Sequence, residues 1–280
     1  MSKHSVYLST ILSLFLCTVC PFLMAQPLGP QNPAKINGYQ FRSIDYPGAD
    51  FSSAVDFNGK IAVGNTDTTA FYFDGTTYTS LNLPGIIAAT LYGINKSGVV
   101  VGSYDDNGIE QGFTYDGKTF VSIGFPASAT WLRGINDSGQ VIGYYEVGDS
   151  VYGFVYSSGT FTTIAVPGAL QTYLNGINSA GDIVGWYQDP KTSHGFLLKD
   201  GAYYTIDLPL CSGTAIDGIN DSDDMVGDCE GSTFIVSQGA YYLLEVLEAK
   251  QIYIFAIKNN GDVVGTLVDD LGNFHGIIGH

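Results

Sequence analysis

Short apolar runs alternate with turn residues along the chain, and one arrangement of them recurs. In the stretch from Gly134 to Gly143, two apolar runs flank the turn Asn136-Asp137-Ser138-Gly139. Two apolar runs joined by a short turn of Asn, Asp, Ser and Gly are typical of a β-hairpin. The pattern therefore predicts a hairpin that is copied along the chain.

The copies of this hairpin follow one another at a nearly constant distance. Its opening triplet Gly-Ile-Asn occurs at spacings of 41, 42 and 42 residues, beginning at Gly93, Gly134, Gly176 and Gly218. Two degenerate copies, Ala54-Val55-Asp56 and Ala256-Ile257-Lys258, extend the series to six. The first copy is expected to carry one extra residue between its triplet and its second glycine. In the fifth copy Asp223 replaces the turn glycine. A fixed period of this kind indicates a repeat architecture.

Two further apolar runs share the period, so each repeat has four. One run is centred on Phe71, Phe113, Phe154, Phe196, Phe234 and Ile277. The other run starts with an aromatic residue at Phe41, Tyr78, Phe120, Phe161, Tyr203 and Tyr241. Four short strands in a repeat of roughly 40 residues are typical of a β-propeller blade.

The two ends of the chain complement each other. Residues 41–49 match residues 161–169, which form the fourth run of a repeat, whereas residues 274–280 form a third run with no fourth after it. The sequence therefore predicts an all-β, six-bladed β-propeller with four strands per blade. Its sixth blade combines residues 253–280 with residues 39–46. Pairing of the N-terminal strand with the C-terminal three strands closes the ring and removes an exposed edge, so residues 37–280 form a single domain.

The first 25 residues have a different composition from the repeats. Lys3 precedes an apolar run from Val6 to Met24, and the small residue Ala25 follows it. This order is typical of a secretory signal peptide, although an uncleaved membrane anchor is the alternative because the run nearly reaches spanning length. We expect cleavage after Ala25, an extended leader over residues 26–36, export to the periplasm or the extracellular space, and no membrane span in the mature chain.

The charge balance limits the choice of partner. Removal of residues 1–25 takes away Lys3 and no acidic residue, which leaves 10 basic and 27 acidic residues. Nucleic acids and anionic membranes need clustered Lys and Arg, so the balance argues against both. We expect a monomer whose partner is a carbohydrate or another extracellular protein. Cys211 and Cys229 remain in the mature chain, and such a pair in an exported protein predicts a disulfide.

The loops of a propeller fall on two faces. The turns within the repeated hairpins are short and uniform, which suits a structural role. The loops on the opposite face, called the loop-rich face below, are longer and more varied, and such loops carry function more often. The candidate binding residues there are Trp131, Arg133, Tyr173, Tyr253, Asp149 and Asp189. The aromatic residues would stack on a ligand or pack the core, and both interpretations stay open.

The residue before each Gly-Ile-Asn triplet breaks the sameness of the repeat. Arg133 corresponds to Tyr92, Asn175, Asp217 and Phe255 in other copies. We expect these non-repeating residues to distinguish a ligand.

Acidic residues recur in the loops of the loop-rich face. Asp105 and Asp106 in one copy and Asp269 and Asp270 in another are candidate ligands for Ca²⁺, which prefers oxygen donors. Solvated loop acids in an acidic protein are the alternative. We expect no other cofactor.

Enzyme signatures are few. His194 and His275 occupy equivalent positions and are explained by the repeat, so no Ser-His-Asp triad is assigned. The chain has no zinc spacing of His and Cys, no Walker loop and no dinucleotide fingerprint. No catalytic residue is predicted, although a carboxylate pair for glycoside cleavage stays open.

The motifs together resemble a known family. Gly-Ile-Asn, the Asn-Asp-Ser-Gly turn, the second glycine and His194-Gly195-Phe196 resemble the bacterial extracellular HAF repeat family over nearly all of residues 39–280. The resemblance implies export and repeat architecture, and it implies no activity and no site residue. Our interpretation is an exported, non-enzymatic binding module that uses the loop-rich face. The alternative is a secreted polysaccharide-acting glycosidase or lyase that uses acidic and aromatic residues of the same face.

Overall fold

The computed structural model describes residues 34–36, 39–86, 88–209, 211–244, 246 and 249–280. Within these ranges all regular secondary structure is β-strand. The predicted signal peptide, residues 1–25, and residues 26–33 of the predicted leader lie outside the described residues. The all-β prediction is therefore confirmed for the described part of the chain.

The described residues form 25 strands, numbered β1 to β25 in chain order, and the repeats are called units 1 to 6. Two strands precede the repeats: β1 (Ala34–Ile36) and β2 (Phe41–Ser43). Unit 1 contains β3 (Ser52–Phe57), β4 (Ala62–Thr66), β5 (Ala70–Phe73) and β6 (Tyr78–Ser80). Unit 2 contains β7 (Ala89–Ile94), β8 (Val100–Asp106), β9 (Ile109–Tyr115) and β10 (Phe120–Ile123). Unit 3 contains β11 (Thr130–Ile135), β12 (Val141–Val147), β13 (Ser150–Ser157) and β14 (Thr160–Ile164).

The later units continue in the same way. Unit 4 contains β15 (Gln171–Ile177), β16 (Ile183–Gln188), β17 (Ser193–Lys199) and β18 (Ala202–Ile206). Unit 5 contains β19 (Ala215–Ile219), β20 (Met225–Cys229), β21 (Ser232–Ser237) and β22 (Ala240–Leu244). Unit 6 contains β23 (Gln251–Ile257), β24 (Val263–Val268) and β25 (Phe274–Gly279). Neighbouring strands within a unit are antiparallel, and their order across the sheet follows the chain.

The N-terminal strands join the last two units. Strand β2 pairs antiparallel with β25, so that Phe41 lies opposite Gly279 and Ser43 lies opposite Ile277. Unit 6 thereby gains its fourth strand from the start of the chain, although β2 is shorter than residues 39–46. Strand β1 pairs in parallel with β22 at the outer edge of unit 5. The end of the predicted leader is therefore part of a sheet.

A paired glycine and phenylalanine form the buried centre of a unit. In unit 3, Gly143 on the second strand lies opposite Phe154 on the third, and the Phe154 side chain is fully buried. A Cβ atom on Gly143 would collide with the Trp131 carbonyl and would contact the Phe154 ring. Because burial of a phenylalanine side chain contributes about 2–3 kcal/mol, the missing side chain of Gly143 lets the ring pack there.

Each inner strand carries a β-bulge at the same place. In unit 3 the register shifts between Leu132 and Gly134, which leaves Arg133 without a partner on β12. The other inner strands shift at the equivalent positions. A bulge leaves one residue unpaired and re-aims its side chain. The six bulged residues, called the bulge ring below, are Val55, Tyr92, Arg133, Asn175, Asp217 and Phe255.

The bulge also corrects the expected alignment of the first copy. Ala54 pairs with Gly64 and Asp56 pairs with Val63, so Asp56, and not Ala54, takes the place of Gly134. The expected extra residue is wrong, because the turn of unit 1 is one residue shorter than the others: Asn58 N–H bonds to Ile61 O, whereas Asn136 N–H bonds to Gln140 O. Asp56 resembles the asparagine of the triplet in sequence, although Asn58 is the residue that takes its place in the structure. The sequence alignment therefore starts two residues too early and conceals the shorter turn.

The repeated asparagine of the hairpin turn links neighbouring units. The Oδ1 atom of Asn136 accepts the N–H groups of Ser138 and Gln140, and its Nδ2 donates to Asn178 O of the next unit at 3.1 Å. Equivalent bonds run from Asn58 to Asn95 O, Asn95 to Asn136 O, Asn178 to Asn220 O and Asn220 to Lys258 O. The asparagine therefore caps its own turn and fixes the distance to the next unit.

Unit 6 contacts unit 1 through a different pair. Lys258 occupies the position of the repeated asparagine, and its ammonium pairs with the Asp56 carboxylate. The Thr266 hydroxyl also donates to Ser53 Oγ at 2.8 Å in a buried position. The first and last repeats are thus in direct contact.

Candidate functional site

A cavity of about 320 Å³ lies where the inner strands of all six units end at their hairpin turns. Its wall contains the bulge ring, the strand residues after it and the turn residues, with each unit contributing the same set of positions. The volume is at the low end of the range for small-molecule sites. We call it the central cavity.

The bulge ring divides the wall of the central cavity into two arcs. Tyr92, Arg133, Asn175 and Asp217 follow one another in units 2 to 5 and form a polar arc. Phe255 and Val55 in units 6 and 1 form an apolar arc. The surrounding turns repeat, whereas the ring differs at every position, so the ring gives the cavity its chemical asymmetry.

The cation of the polar arc is held by an aromatic ring. The guanidinium carbon of Arg133 lies 4.2 Å from the centroid of the Tyr92 ring, a cation–π geometry. Burial raises the pKa of the neighbouring Tyr144 to about 12, although the Arg133 charge opposes the rise. Among the described residues, no carboxylate lies within 4.0 Å of the Arg133 guanidinium.

The carboxylate of the polar arc is desolvated. Asn175 Nδ2 donates to Asp217 Oδ1 at 3.3 Å and to Ile216 O at 3.0 Å. Burial raises the pKa of Asp217 to about 7; Arg133 opposes this rise and the carboxylate of Asp228 adds to it. Since the Asp217 side chain still faces the cavity, we expect cavity water to moderate the shift.

Asp228 lies opposite Ala215 on the second strand of unit 5, and its charge acts on Asp217. Burial raises the pKa of its carboxyl, with a hydrogen bond from the Gly231 backbone acting against the rise. Its Oδ2 atom is buried and has no hydrogen-bond partner among the described residues. Unit 5 therefore holds two carboxyl groups with raised pKa values, of which Asp217 lines the central cavity.

Four aromatic residues pack between units 3 and 4. The Trp131 ring stacks on Tyr144 at 5.1 Å, Tyr144 meets Tyr173 edge-on at 4.9 Å, and Tyr173 stacks on Trp186 at 4.1 Å. The predicted residues Trp131 and Tyr173 are thus brought together through Tyr144, and each lies two positions before a residue of the bulge ring. Tyr253 lies on β23 of unit 6, opposite Thr266.

The remaining predicted binding residues lie at the other end of the strands. Asp149 is exposed in the turn between β12 and β13. Asp189 caps its own loop by accepting the N–H groups of Lys191 and Thr192, and these bonds lower the pKa of its carboxyl. Of the six predicted binding residues, only Arg133 lines the central cavity. The cavity therefore reaches the face with the short turns.

The candidate calcium ligands belong to two separate units. The Asp105 carboxylate accepts a hydrogen bond from the Gly108 N–H within a turn of unit 2, and the Asp106 carboxylate accepts one from the side-chain amide of Asn107. Asp269 caps a turn of unit 6, where Asn273 contributes most to lowering the pKa of its carboxyl to about 2. Asp270 is exposed beside it. Across the part of the chain that the structure describes, no group of three or more His, Cys, Asp or Glu residues could hold a metal ion.

The two repeated histidines each lie between two carboxylates. His194 Nδ1 is 2.9 Å from Asp207 and its Nε2 is 3.4 Å from Asp189. His275 Nδ1 is 2.9 Å from Asp45, which follows β2, and its Nε2 is 3.4 Å from Asp269. The hydrogen bond to Asp45 raises the pKa of His275. In His275 this arrangement stabilises the protonated imidazole.

Cys211 and Cys229 form a disulfide in the structure, with their Cα atoms 6.0 Å apart. The bond joins the loop before β19 to the end of β20 in unit 5. Asp223, which replaces the turn glycine of the same unit, adopts a positive φ of 63°. Aspartate tolerates this conformation better than most residues do, so the hairpin keeps its turn without glycine.

Comparison with solved structures identifies the fold. A gluconolactonase-like protein matches with a TM-score of 0.54 at 11% identity, over 89% of this chain and 94% of that one. Virginiamycin B lyase from Staphylococcus aureus matches with a TM-score of 0.50 at 9% identity, over 85% and 88%. TolB from Acinetobacter baumannii matches with a TM-score of 0.51 at 10% identity, over 82% of this chain and 63% of that one. These neighbours are β-propeller proteins, and the likeness shows a β-propeller fold alone.

No family model matches the chain, and no curated protein matches it. In the described residues, no helix is long and apolar enough to cross a membrane.

Proposed function

We propose that the chain is an exported, non-enzymatic β-propeller of six blades that binds a small molecule in the central cavity. The six units are the blades. The pairing of β2 with β25 and the ion pair between Lys258 and Asp56 support a closed ring. A closed ring makes the cavity a rigid, preformed site, which lowers the entropic cost of binding.

The bulge ring is the observation that carries the binding proposal. Its six side chains differ from one another, yet the turns and core residues around them repeat. A packing role would favour the same residue in every unit, as at the buried phenylalanines. Different side chains that converge on one cavity are what a specific ligand requires, because a few placed polar groups on an apolar wall fix its orientation.

The loop-rich face is the alternative binding surface. Trp131, Tyr173, Tyr253, Asp149 and Asp189 would contact a carbohydrate or an extracellular protein there. Arg133 would then act only through the effect of its charge on Tyr144. Asp149 and Asp189 lie at the other end of the strands from the turns that line the central cavity, so substitutions there can separate the two surfaces.

The test is a thermal-shift screen of sugars, organic acids, amines and short peptides on the purified exported protein. Calorimetry on each hit then compares Asp217→Asn with Asp149→Asn, which removes an exposed carboxylate from the loop-rich face. We expect binding at least about tenfold weaker in Asp217→Asn, because a hydrogen bond to a charged group contributes about 1.5–3 kcal/mol, and no change in Asp149→Asn. The reverse pattern would assign the loop-rich face. A screen without any hit would contradict the binding role.

A polysaccharide-acting glycosidase or lyase is the second candidate. The loop-rich face is its expected location, but the raised pKa of Asp217 favours the central cavity, since a carboxyl with a pKa near 7 suits a general acid. Reducing-end and unsaturated-product assays on a polysaccharide panel test this candidate. Product that disappears in Asp217→Asn would replace the binding proposal, and binding without product would exclude the enzyme.

Export and family membership complete the proposal. We propose cleavage after Ala25, so that N-terminal sequencing of the exported protein should begin at Gln26. A start at Met1 on a membrane-bound protein would support the anchor instead. The repeats are proposed to be HAF repeats, with support from the Gly-Ile-Asn triplets and from His194-Gly195-Phe196.

A further inference from the structure

The Arg133 guanidinium is a charged group in need of an anion. It is half-buried at the cavity wall, and it lies over the Tyr92 ring. Other cations with partial burial have carboxylate partners: Lys199 pairs with Asp182, and Lys258 pairs with Asp56. In a chain with 27 acidic residues, the lack of a carboxylate within 4.0 Å of Arg133, among the described residues, marks this position as different.

Asp217 influences Arg133 without pairing to it. The Arg133 charge opposes the rise in the Asp217 pKa, so the two groups interact electrostatically. Their separation exceeds the 4.0 Å limit of an ion pair, because Asn175 lies between them on the wall and occupies one carboxylate oxygen of Asp217. Among the described residues, the Arg133 guanidinium therefore has no carboxylate partner and the second Asp217 oxygen has no hydrogen bond, and both flank the same gap.

The opposite wall of the cavity is apolar. Phe255 and Val55 face the polar arc across the central cavity. A volume of about 320 Å³ suits a small ligand and excludes a polymer that fills the channel. The ligand should therefore combine a charged end with a short apolar body.

We infer that the central cavity takes a small organic acid that also carries a hydrogen-bond donor. Its carboxylate binds the Arg133 guanidinium, its hydroxyl or ammonium group donates to Asp217, and its apolar body lies against Phe255. The planar fork of arginine matches a carboxylate with two parallel hydrogen bonds. A neutral ligand would leave the guanidinium desolvated and unpaired, and a purely cationic ligand would be repelled by it.

This inference rests on the proposed binding function, and the experiment separates the two. Calorimetry on the purified exported protein uses three matched probes of leucine size: 2-hydroxy-4-methylpentanoate, L-leucine and 4-methylpentanoate, which lacks the donor. The amide of each acid removes the negative charge and keeps the size. The protein variants are Arg133→Gln and, as a matched control, Arg42→Gln, since Arg42 is exposed and donates to Gly75 O.

We expect the hydroxy acid or the amino acid to bind, and the better of the two identifies the donor. The amides and Arg133→Gln should each weaken binding by about 30-fold or more, because each leaves one member of the charge pair without its partner, whereas Arg42→Gln should bind normally. Loss of the donor in 4-methylpentanoate should weaken binding by about tenfold.

Amides that bind as tightly as the acids, or a screened ligand that is unaffected by Arg133→Gln, would overturn the organic-acid inference and leave the binding proposal intact. An absence of binding by these probes and by the wider screen would instead remove the binding proposal.

Discussion

The junction between unit 6 and unit 1 differs from the junctions between the other neighbouring units. From unit 1 to unit 6, the side-chain amide of each repeated asparagine donates to a backbone carbonyl of the next unit at 3.1–3.3 Å. Between unit 6 and unit 1, Lys258 and Asp56 form an ion pair instead, and their side chains are 29% and 13% exposed. Where the first and last repeats meet, an ion pair thus takes the place of the neutral amide–carbonyl hydrogen bond.

The two degenerate copies of the triplet are the two that meet at this junction. Lys258 replaces the asparagine, and Asn260 takes over part of the turn capping by accepting the Asp262 N–H. Asp56 replaces the glycine and accepts the N–H groups of Phe57 and Ile94. The degeneracy is therefore a change of chemistry at one junction, and not a loss of the repeat. Deletion of the strand beside this junction and substitution of its charged pair therefore test how far it differs from the neutral links.

Deletion of residues 37–48 should have the largest effect. It removes β2 and the fully buried Ile44, and it leaves the edge of β25 unpaired. We expect the melting temperature in differential scanning calorimetry to fall by at least about 10 °C, because a loss of several kcal/mol shifts a domain of this size by 2–4 °C per kcal/mol. Deletion of residues 26–33 is the control and should change it by no more than about 2 °C. An unchanged melt after the first deletion would refute ring closure.

Asn136→Ala should have the next largest effect. The Asn136 side chain is 4% exposed, and its loss removes the turn cap and the link to Asn178 O. We expect about 3 kcal/mol of destabilisation, since several buried hydrogen bonds are lost at once, measured by urea unfolding. Ser138→Ala in the same turn is the control, because Ser138 is exposed, and it should cost less than about 0.5 kcal/mol. Equal costs for the two variants would show that the amide link has no special role.

Lys258→Gln tests the charged junction directly. It should cost about 1–2 kcal/mol, since a half-buried pair lies between the exposed and the buried cases, and it should weaken the dependence of stability on salt. Lys96→Gln is the matched control: Lys96 pairs with Asp137 but its side chain is 68% exposed. If both variants lose the same stability and the same salt dependence, burial does not strengthen the pair between units 6 and 1.

His275→Gln should have the smallest effect, and only at low pH. The bond to Asp45 raises the folded pKa of His275 above its ordinary value of 6.5. A raised pKa stabilises the protein fully below the unfolded pKa, and this stabilisation is lost as the pH rises through the folded pKa. We expect the melting temperature to fall by about 1–3 °C at pH 5.5 and to stay unchanged at pH 9. Asp45→Asn should remove the same pH dependence, and a variant difference that persists at pH 9 would contradict the assignment.

The repeat made most of the fold predictable from sequence. The match between residues 41–49 and residues 161–169 predicted that the first strand completes the last unit, and β2 does pair with β25. The bulge was not predictable in this way, because Leu132-Arg133-Gly134 reads as simple alternation. Without the bulge, Arg133 was assigned to the loop-rich face together with Trp131 and Tyr173.

The electrostatics of the site were also hidden from the sequence. Asp217 stood out only as one of several non-repeating residues, and its raised pKa depends on burial and on neighbours from another strand and another unit. Asp228 was one loop acid among many. The residues that break the repeat immediately before its most regular motif stand out in the sequence, but their convergence on one cavity is visible only in the structure.

The buried turn asparagines have a consequence for production of the protein in eukaryotic secretory hosts. Asn95, Asn136 and Asn220 each begin an Asn-X-Ser acceptor sequence for N-linked glycans. In the folded protein their side chains are 6%, 4% and 3% exposed, and their amide nitrogens donate to the next unit. An oligosaccharide transferred to any of them during synthesis would occupy the nitrogen that the neighbouring repeat requires. Glycan attachment and correct assembly therefore exclude each other at these sites.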